Sequence, residues 1–195
     1  MSHPALTIIR EEHGALSAML RSLPMLLAEY RRKSLLPDFS VLRAMLFYID
    51  EFPEKLHHTK ESELLFPKVR ARCPEAGATL DRLEREHQRG EKAIRDLEHD
   101  LLAFEVLGES RRDAFEQSVN RYIAFYMAHM ALEEEQILPL AEKALSAADW
   151  DEIDLAFLAN RDPLTGHEPD EGLRPLFSKI VRTTPAPIGL GPALR

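Results

Sequence analysis

Residues 80–101 read LDRLEREHQRGEKAIRDLEHDL, and their apolar positions decide the fold. Leu80, Leu83, Gly90, Ile94, Leu97 and Leu101 recur at three- and four-residue steps, the period of one helix face. His87 fills the slot between Leu83 and Gly90, so a stripe destined for a core carries an imidazole. The same period runs almost everywhere up to about residue 160. Period-2 alternation rich in Val, Ile and Thr, the mark of half-buried strands, is missing. The spacing predicts an all-α protein.

Three interruptions divide the pattern: Ser34 to Asp38, Cys73-Pro74 to Gly77, and Gly108 to Ser110. They delimit four helices near 4–33, 38–72, 78–105 and 110–146. Connections this short make neighbours antiparallel, and an up-down-up-down four-helix bundle lets each helix bury one stripe. Residues 1–146 are read as this bundle and 147–195 as a C-terminal extension. In the extension, Asp149 and Glu152 read as a capping box for a short fifth helix ending near Asn160. Residues 161–195 hold six of the 13 prolines and four of the 8 glycines, which rules out a continued helix. Within them LRPLFSKIV (173–181) keeps helical spacing at Leu176, Phe177, Ile180 and Val181. It predicts one short helix docked on the bundle or on a partner, followed by an irregular end, TTPAPIGLGPALR.

At 195 residues and 45% hydrophobic content the chain can bury one sizeable core. A net charge of −8 argues against nucleic acid or an anionic membrane as the main partner. The single cysteine, Cys73, excludes disulfide scaffolds, thiolate zinc sites and iron–sulfur clusters, and points to a reducing compartment. No run of about 18 apolar residues occurs, and the start, MSHPALTIIREEHGA, lacks the basic and apolar regions of an export signal. A cytoplasmic protein is expected, as a monomer or a homodimer.

The other helices repeat the anomaly of His87. On the first, Leu6, Ile9, His13, Leu16 and Leu20 share a face. On the second, the face is Leu46, Ile49, Pro53, His57, Glu61 and Leu64. On the fourth it is Phe115, Val119, Tyr122, Tyr126, His129, Glu133 and Gln136. Six ionisable side chains therefore point inward: His13, His57, Glu61, His87, His129 and Glu133. One inward histidine is commonly satisfied by a single hydrogen bond. Two buried carboxylates are another matter, because an unpaired buried charge is costly and no inward Lys or Arg is available for Glu61 or Glu133. A bound cation removes the difficulty. His and Glu at i and i+4 sit on neighbouring turns of one face, so His57 with Glu61 and His129 with Glu133 can each converge on one centre.

The sequence also repeats itself. HHTKESELLFP (57–67) aligns with HMALEEEQILP (129–139), sharing a His, a Glu four residues later and a Pro ten later. REEH (10–13) aligns with REH (85–87). Each half thus contributes one helix with a lone His and one with His-x-x-x-Glu, and pseudo-two-fold symmetry of this kind builds a dinuclear site.

These motifs resemble the hemerythrin-like, or HHE cation-binding, family over about residues 4–146. The resemblance implies a four-helix bundle with a non-haem centre of two iron ions, held by His13, His57, Glu61, His87, His129 and Glu133, with Glu61 and Glu133 as carboxylate bridges. The segment DWDEIDLAFLANRDPLTG, with PAPIGLG, also resembles an extension found on some bacterial members. Where respiratory hemerythrins carry a second His one turn after the third-helix His, this chain has Glu91, facing solvent or serving as an extra ligand. Two adjacent choices are open. His58 would pair at i+4 with Ser62, a poor ligand, which favours His57. The repeat favours Glu133 over Glu134, although either Glu can contribute.

Four imidazoles and two carboxylates without thiolate suit iron, with manganese or zinc as alternatives. With both carboxylates bridging, the protein supplies about eight of the roughly twelve positions of two octahedral metals. Open positions would receive O2, peroxide or nitric oxide, with sensing or handling of these, or of iron itself, as the function. A redox enzyme that decomposes peroxide or activates O2 at the same centre is the alternative.

Other residues have simpler expectations. Tyr122 and Tyr126 read as core packing with their hydroxyls reaching backbone groups, or as phenols that hydrogen-bond beside the site or take part in redox chemistry. Met19, Met45, Met127 and Met130 are bundle fillers. Cys73 is an ordinary surface or loop cysteine, and His3, His99 and His167 are surface residues with no partner at ligand spacing.

Overall fold

A computed structural model of the protein describes residues 3–169 and 171–184. The stretch PAPIGLGPALR, which closes the expected irregular end, lies outside the described residues. Among the described residues every regular element is helical.

Helix α1 (Pro4–Arg32) starts on a proline, whose missing N–H would lack an intrahelical partner there anyway. It ends with Arg31 and Arg32 beside the last carbonyls, where cations are favourable. The expected second helix is a composite rod. It runs through α2 (Phe39–Ile49), a π-helical turn (Asp50–His57), α3 (His58–Lys60), a second π turn (Glu61–Leu65) and α4 (Phe66–Arg72). Helix α5 (Gly77–Leu107) stops at Gly108, whose φ of 73° favours glycine. The fourth rod is α6 (Arg112–Leu132), a π turn (Glu133–Ile137) and α7 (Leu138–Ala144).

The π turns correct two positions of the expected stripes. A π turn inserts a residue into the α-helical period and rotates the side chains beyond it around the helix axis. Leu65 is therefore fully buried where Leu64 was expected, and Ile137 where Gln136 was expected. Gln136 is exposed and accepts from Thr79 Oγ1 at 3.2 Å. Both turns directly follow a His-x-x-x-Glu motif, and Pro67 and Pro139 stand in the first turn of the α-helix that resumes. Proline lacks the N–H that a helix start leaves unused, so both repeat prolines mark the place where the register changes.

Contacts between ends define the pairing of the rods. Arg31, late in α1, meets Asp113 at 2.5 Å and Glu116 at 2.8 Å, early in α6, whereas His13 reaches Glu134. Arg43 of α2 pairs with Glu105 near the end of α5, and Arg70 of α4 with Asp81 near its start. Both pairs of rods are antiparallel.

Two apolar clusters form the core. One gathers Leu16, Met19, Leu20, Met45, Ile49, Ile94, Phe104, Phe115, Val119 and their neighbours. The other gathers Leu6, Ile9, Leu65, Phe66, Leu80, Leu83, Ile137 and Leu138. Fully burying one such side chain contributes about 1.5–3 kcal/mol relative to exposure. Every rod passes from one cluster to the other through ionisable residues: at His13, at His57 to Glu61, at His87, and at His129 to Glu133. The polar layer is thus clamped from both sides.

Helix α8 (Ala147–Leu158) is capped by Ser146, not by Asp149 with Glu152 as expected. The Asp149 N–H donates to Ser146 Oγ at 3.3 Å, and the Ser146 N–H donates to Asp149 Oδ2 at 2.9 Å. Asp149 is the reciprocal partner three residues in, and Glu152 instead pairs with Lys68. Trp150, Ile153 and Phe157 bury α8 in the second cluster. Helix α9 (Arg174–Thr183) matches the expected short helix, and its Phe177 ring lies 5.8 Å from Tyr48 and 5.5 Å from Phe52. Cys73 is buried in the second cluster rather than at the surface. His3 stacks on Trp150 at 4.2 Å and sits 3.4 Å from Asp154. No helix among the described residues is long and apolar enough to cross a membrane.

Candidate metal centre

The layer between the clusters brings together all six expected residues and adds a seventh, His58. Glu61 and Glu133 are 0% exposed, and His13, His57, His58, His87 and His129 are each buried. His58 enters because the π turn Asp50–His57 delivers two successive side chains to the interior. The i+4 argument against it assumed uninterrupted α geometry.

All five imidazoles are oriented through Nδ1. His57 Nδ1 lies 2.6 Å from Glu12 Oε2, His58 Nδ1 3.1 Å from Glu54 Oε2, and His129 Nδ1 3.0 Å from Glu86 Oε2. His13 Nδ1 is 2.9 Å from Glu134 Oε1, and His87 Nδ1 is 2.8 Å from Ser62 Oγ. With Nδ1 donating to these acceptors, the Nε2 lone pairs of His13, His57, His87 and His129 face one another in two pairs, His13–His57 at 3.2 Å and His87–His129 at 3.1 Å.

The two carboxylates span the pairs. Glu61 places Oε1 3.2 Å from His57 Nε2 and Oε2 3.6 Å from His87 Nε2. Glu133 places Oε2 3.4 Å from His13 Nε2 and Oε1 3.3 Å from His129 Nε2. None of these four oxygens has a hydrogen-bond partner. Buried polar atoms are almost always satisfied, so four orphaned carboxylate oxygens among inward lone pairs fit a site built for cations. Three overlapping groups have donor atoms close enough to hold one: His13, His57 and Glu61; His58, His87 and His129; Glu61, His87 and Glu133.

The electrostatics describe the same conflict. At His57 burial lowers the imidazole, but Glu61 and Glu12 outweigh it and leave it well above its ordinary range. At His129 burial is likewise outweighed, by Glu133 and Glu86, and the group rises to about 9. Burial would raise Glu133, yet His129, His87 and His13 hold it well below the carboxylate range. His58 moves the other way, pushed well down by burial and by the neighbouring imidazoles.

Around this layer stand Glu91, Glu134, Tyr122 and Tyr126, for which the sequence offered alternatives. Glu91 is exposed and pairs with Arg95 at 2.9 Å, so it stands outside the site. Glu134 is partly exposed and supports His13, while Glu133 faces inward. Tyr122 and Tyr126 do not reach backbone groups: both hydroxyls donate to Glu54 Oε1, Tyr122 at 2.8 Å. Burial brings the Glu54 carboxyl to about 7. Gly90 makes the arrangement fit, since a Cβ there would stand 1.9 Å from the Tyr126 hydroxyl and 2.9 Å from either Glu54 oxygen.

Glu12 and Glu86, which the sequence reading passed over, orient His57 and His129. Their signal was present in the aligned REEH and REH, where each Glu directly precedes a site His. In each half the His enters the layer while the Glu beside it holds the His of another rod. A small cavity lined by Leu16, Phe52, Pro53, Leu56 and Asn160 abuts His13, His57 and His58.

An uncharacterized protein of Haemophilus influenzae is 26% identical over 137 residues, covering 70% of this chain and 66% of its own length, a little under two thirds. No solved structure matches the chain. The family described as Hemerythrin HHE cation binding domain matches residues 5–141, the span that carries all seven inward residues. The chain belongs to the hemerythrin family of HHE cation-binding domains.

Proposed function

We propose that the protein is a non-haem di-iron protein that binds or senses O2, peroxide or nitric oxide, or iron itself. The observation that carries this reading is the four orphaned oxygens of Glu61 and Glu133, each carboxylate facing imidazoles of both pairs. His13 and His57 would hold one iron, and His58, His87 and His129 the other, with Glu61 and Glu133 facing both. Counted this way, the chain supplies about nine of the roughly twelve positions of two octahedral ions. The absence of thiolate favours iron over a structural zinc site, with manganese or zinc as alternatives. Iron would supply the exchange of electrons with a small oxidant.

The chain's own residues do the rest. Glu12, Glu54, Glu86, Glu134 and Ser62 fix the tautomers so that Nε2 faces the centre, and the carboxylates raise imidazole basicity. Leu16, Phe52, Pro53 and Leu56 give the small cavity an apolar lining on the side with fewer protein donors. A second reading, a redox enzyme that decomposes peroxide or activates O2, is favoured by Tyr122 and Tyr126, whose phenols share Glu54 beside His58. A cytoplasmic setting accords with the free thiol of Cys73.

Iron content of the double variant His57→Ala, His129→Ala tests the ligand assignment. It should fall well below half of the wild-type value, and unchanged iron would sink the assignment. Catalytic turnover of peroxide well above that of free iron would favour the enzyme reading over binding or sensing.

A further inference from the structure

We infer that Asn160, in the extension beyond the family match, is a positioning residue of the metal centre that holds His57 through Glu12. The inference rests on the reading of the site as an iron centre. Asn160 is 5% exposed and stands just after α8. Its Nδ2 donates to Glu12 Oε1 at 2.9 Å and to Oε2 at 3.1 Å, and Glu12 Oε2 in turn accepts from His57 Nδ1 at 2.6 Å. The amide has one chemically sensible orientation. Lys60 can only donate and does so to Asn160 Oδ1, while the Glu12 carboxylate can only accept, so Nδ2 must face Glu12.

The other half of the site solves the same problem differently. Glu86, which orients His129, accepts at its second oxygen from Arg82 Nε at 2.7 Å, four residues earlier on the same helix. Arg82 brings a full charge from a half-exposed side chain. Asn160 brings a neutral, buried amide from a separate element. Glu12 is thus hydrogen-bonded by a neutral amide besides His57, whereas Glu86 is hydrogen-bonded by a guanidinium besides His129. The two halves of the internal repeat are chemically unequal, and the extension makes them so.

The rest of the segment is built to hold Asn160 in place. Phe157, one turn earlier, packs edge-on against the His57 ring at 5.9 Å and is fully buried. Asp162, two residues later, accepts from the Tyr48 hydroxyl at 2.6 Å. Asn160, Arg161 and Asp162 together wall the small cavity that abuts His13 and His57. The consequence is a specific asymmetry: loss of the Asn160 amide loosens the iron beside His13 and His57 and spares the iron beside His87 and His129.

Release of iron from the full-length, iron-loaded chain to an excess of a ferrous chelator under anaerobic conditions, resolved into kinetic phases, tests this. Wild type, Asn160→Ala, Asn160→Ser, Glu12→Gln and the double variant Glu12→Gln, Asn160→Ala are compared, with metal-free melting temperatures in parallel. Asn160→Ala should speed one of two phases about tenfold, the scale of an outer-shell effect, and leave the other within about twofold. Asn160→Ser, whose hydroxyl can still donate, should fall between wild type and Asn160→Ala. Because Asn160 acts through Glu12, adding Asn160→Ala to Glu12→Gln should change release by less than about twofold. Equal acceleration of both phases, an undiminished effect in the Glu12→Gln background, or release identical to wild type overturns the inference alone. A wild-type chain that takes up no iron overturns the iron reading and the inference with it.

Discussion

The Nε2 atoms of His87 and His129, from different rods, face each other at 3.1 Å inside the bundle. Each Nδ1 meets an oxygen elsewhere, Ser62 Oγ or Glu86 Oε2, and with Nδ1–H donating there the facing atoms are lone pairs unless a proton or a cation lies between them. His13 and His57 repeat the relationship at 3.2 Å. Two such pairs beside two unpartnered carboxylates make occupancy of the layer by cations the variable on which both stability and chemistry turn.

Without metal, protons take that role. His129, raised from 6.5 to about 9, and His57, also raised, contribute stability that is fully present below pH 6.5. It is lost as pH rises through the folded value of His129, about 9. Glu54, raised to about 7, acts in the same direction. The melting temperature of metal-free protein should therefore fall by several degrees between pH 6.5 and pH 9, the window of the His129 shift. Metal-loaded protein should show the opposite slope on acidification through the histidine range, because ligands must be deprotonated to bind. Thermal melts of both forms across pH check this. A metal-free melting temperature that rises toward pH 9 would contradict it.

Gly90→Ala should destabilise the protein although alanine is the better helix former. The new Cβ would stand 1.9 Å from the Tyr126 hydroxyl, and Tyr126 is 1% exposed, so its ring has nowhere to go. Overpacking of this kind costs about 1–3 kcal/mol, against about 1 kcal/mol gained in helix propensity. Removing the obstructing oxygen in Gly90→Ala, Tyr126→Phe should restore part of the loss. Melting curves of the two variants decide it, and a double variant no better than the single would rule out this contact as the cause.

Much of this architecture was legible in the residues, and most of the exceptions share a cause. The heptad through His87 and the stripe through His13 specify helix faces with imidazoles in them, and the structure buries both. Leu64 and Gln136 were misassigned because a π turn follows each His-x-x-x-Glu, and i→i−5 hydrogen bonding leaves no periodic mark in a single sequence. Helical spacing favours His57 over His58 for the same reason, because it assumes an α-helix that the Asp50–His57 turn interrupts. Glu54 pairs with His58 four residues on in its own rod, but its other partners, Tyr122 and Tyr126, come from a different rod. No spacing within one helix encodes a meeting of that kind.

His58 should matter to metal binding as much as His57 does. His58→Ala removes an imidazole facing His87 and His129, and it leaves Glu54 without its histidine partner. Iron per chain should drop toward one while iron bound beside His13 and His57 persists. Elemental analysis of the purified variant reads this directly, and full wild-type loading would place His58 outside the coordination sphere.

The two readings of the α8 cap separate cleanly. Ser146→Ala should cost about 1 kcal/mol, because Ser146 accepts at the start of the helix and Asp149 returns the bond. Glu152→Ala should stay within about 0.5 kcal/mol of wild type, since the exposed Glu152 pairs only with Lys68 at the surface. Urea unfolding of both variants distinguishes them, and a larger loss for Glu152→Ala would favour the later cap.

The most direct test of the central claim is metal content by elemental mass spectrometry on protein purified without a histidine tag, with an absorption spectrum recorded in air. About two irons per chain are expected, counted from the two histidine pairs that share Glu61 and Glu133, with oxo-bridged charge-transfer bands in the near-ultraviolet. Substoichiometric zinc, or no metal despite iron in the growth medium, would contradict it.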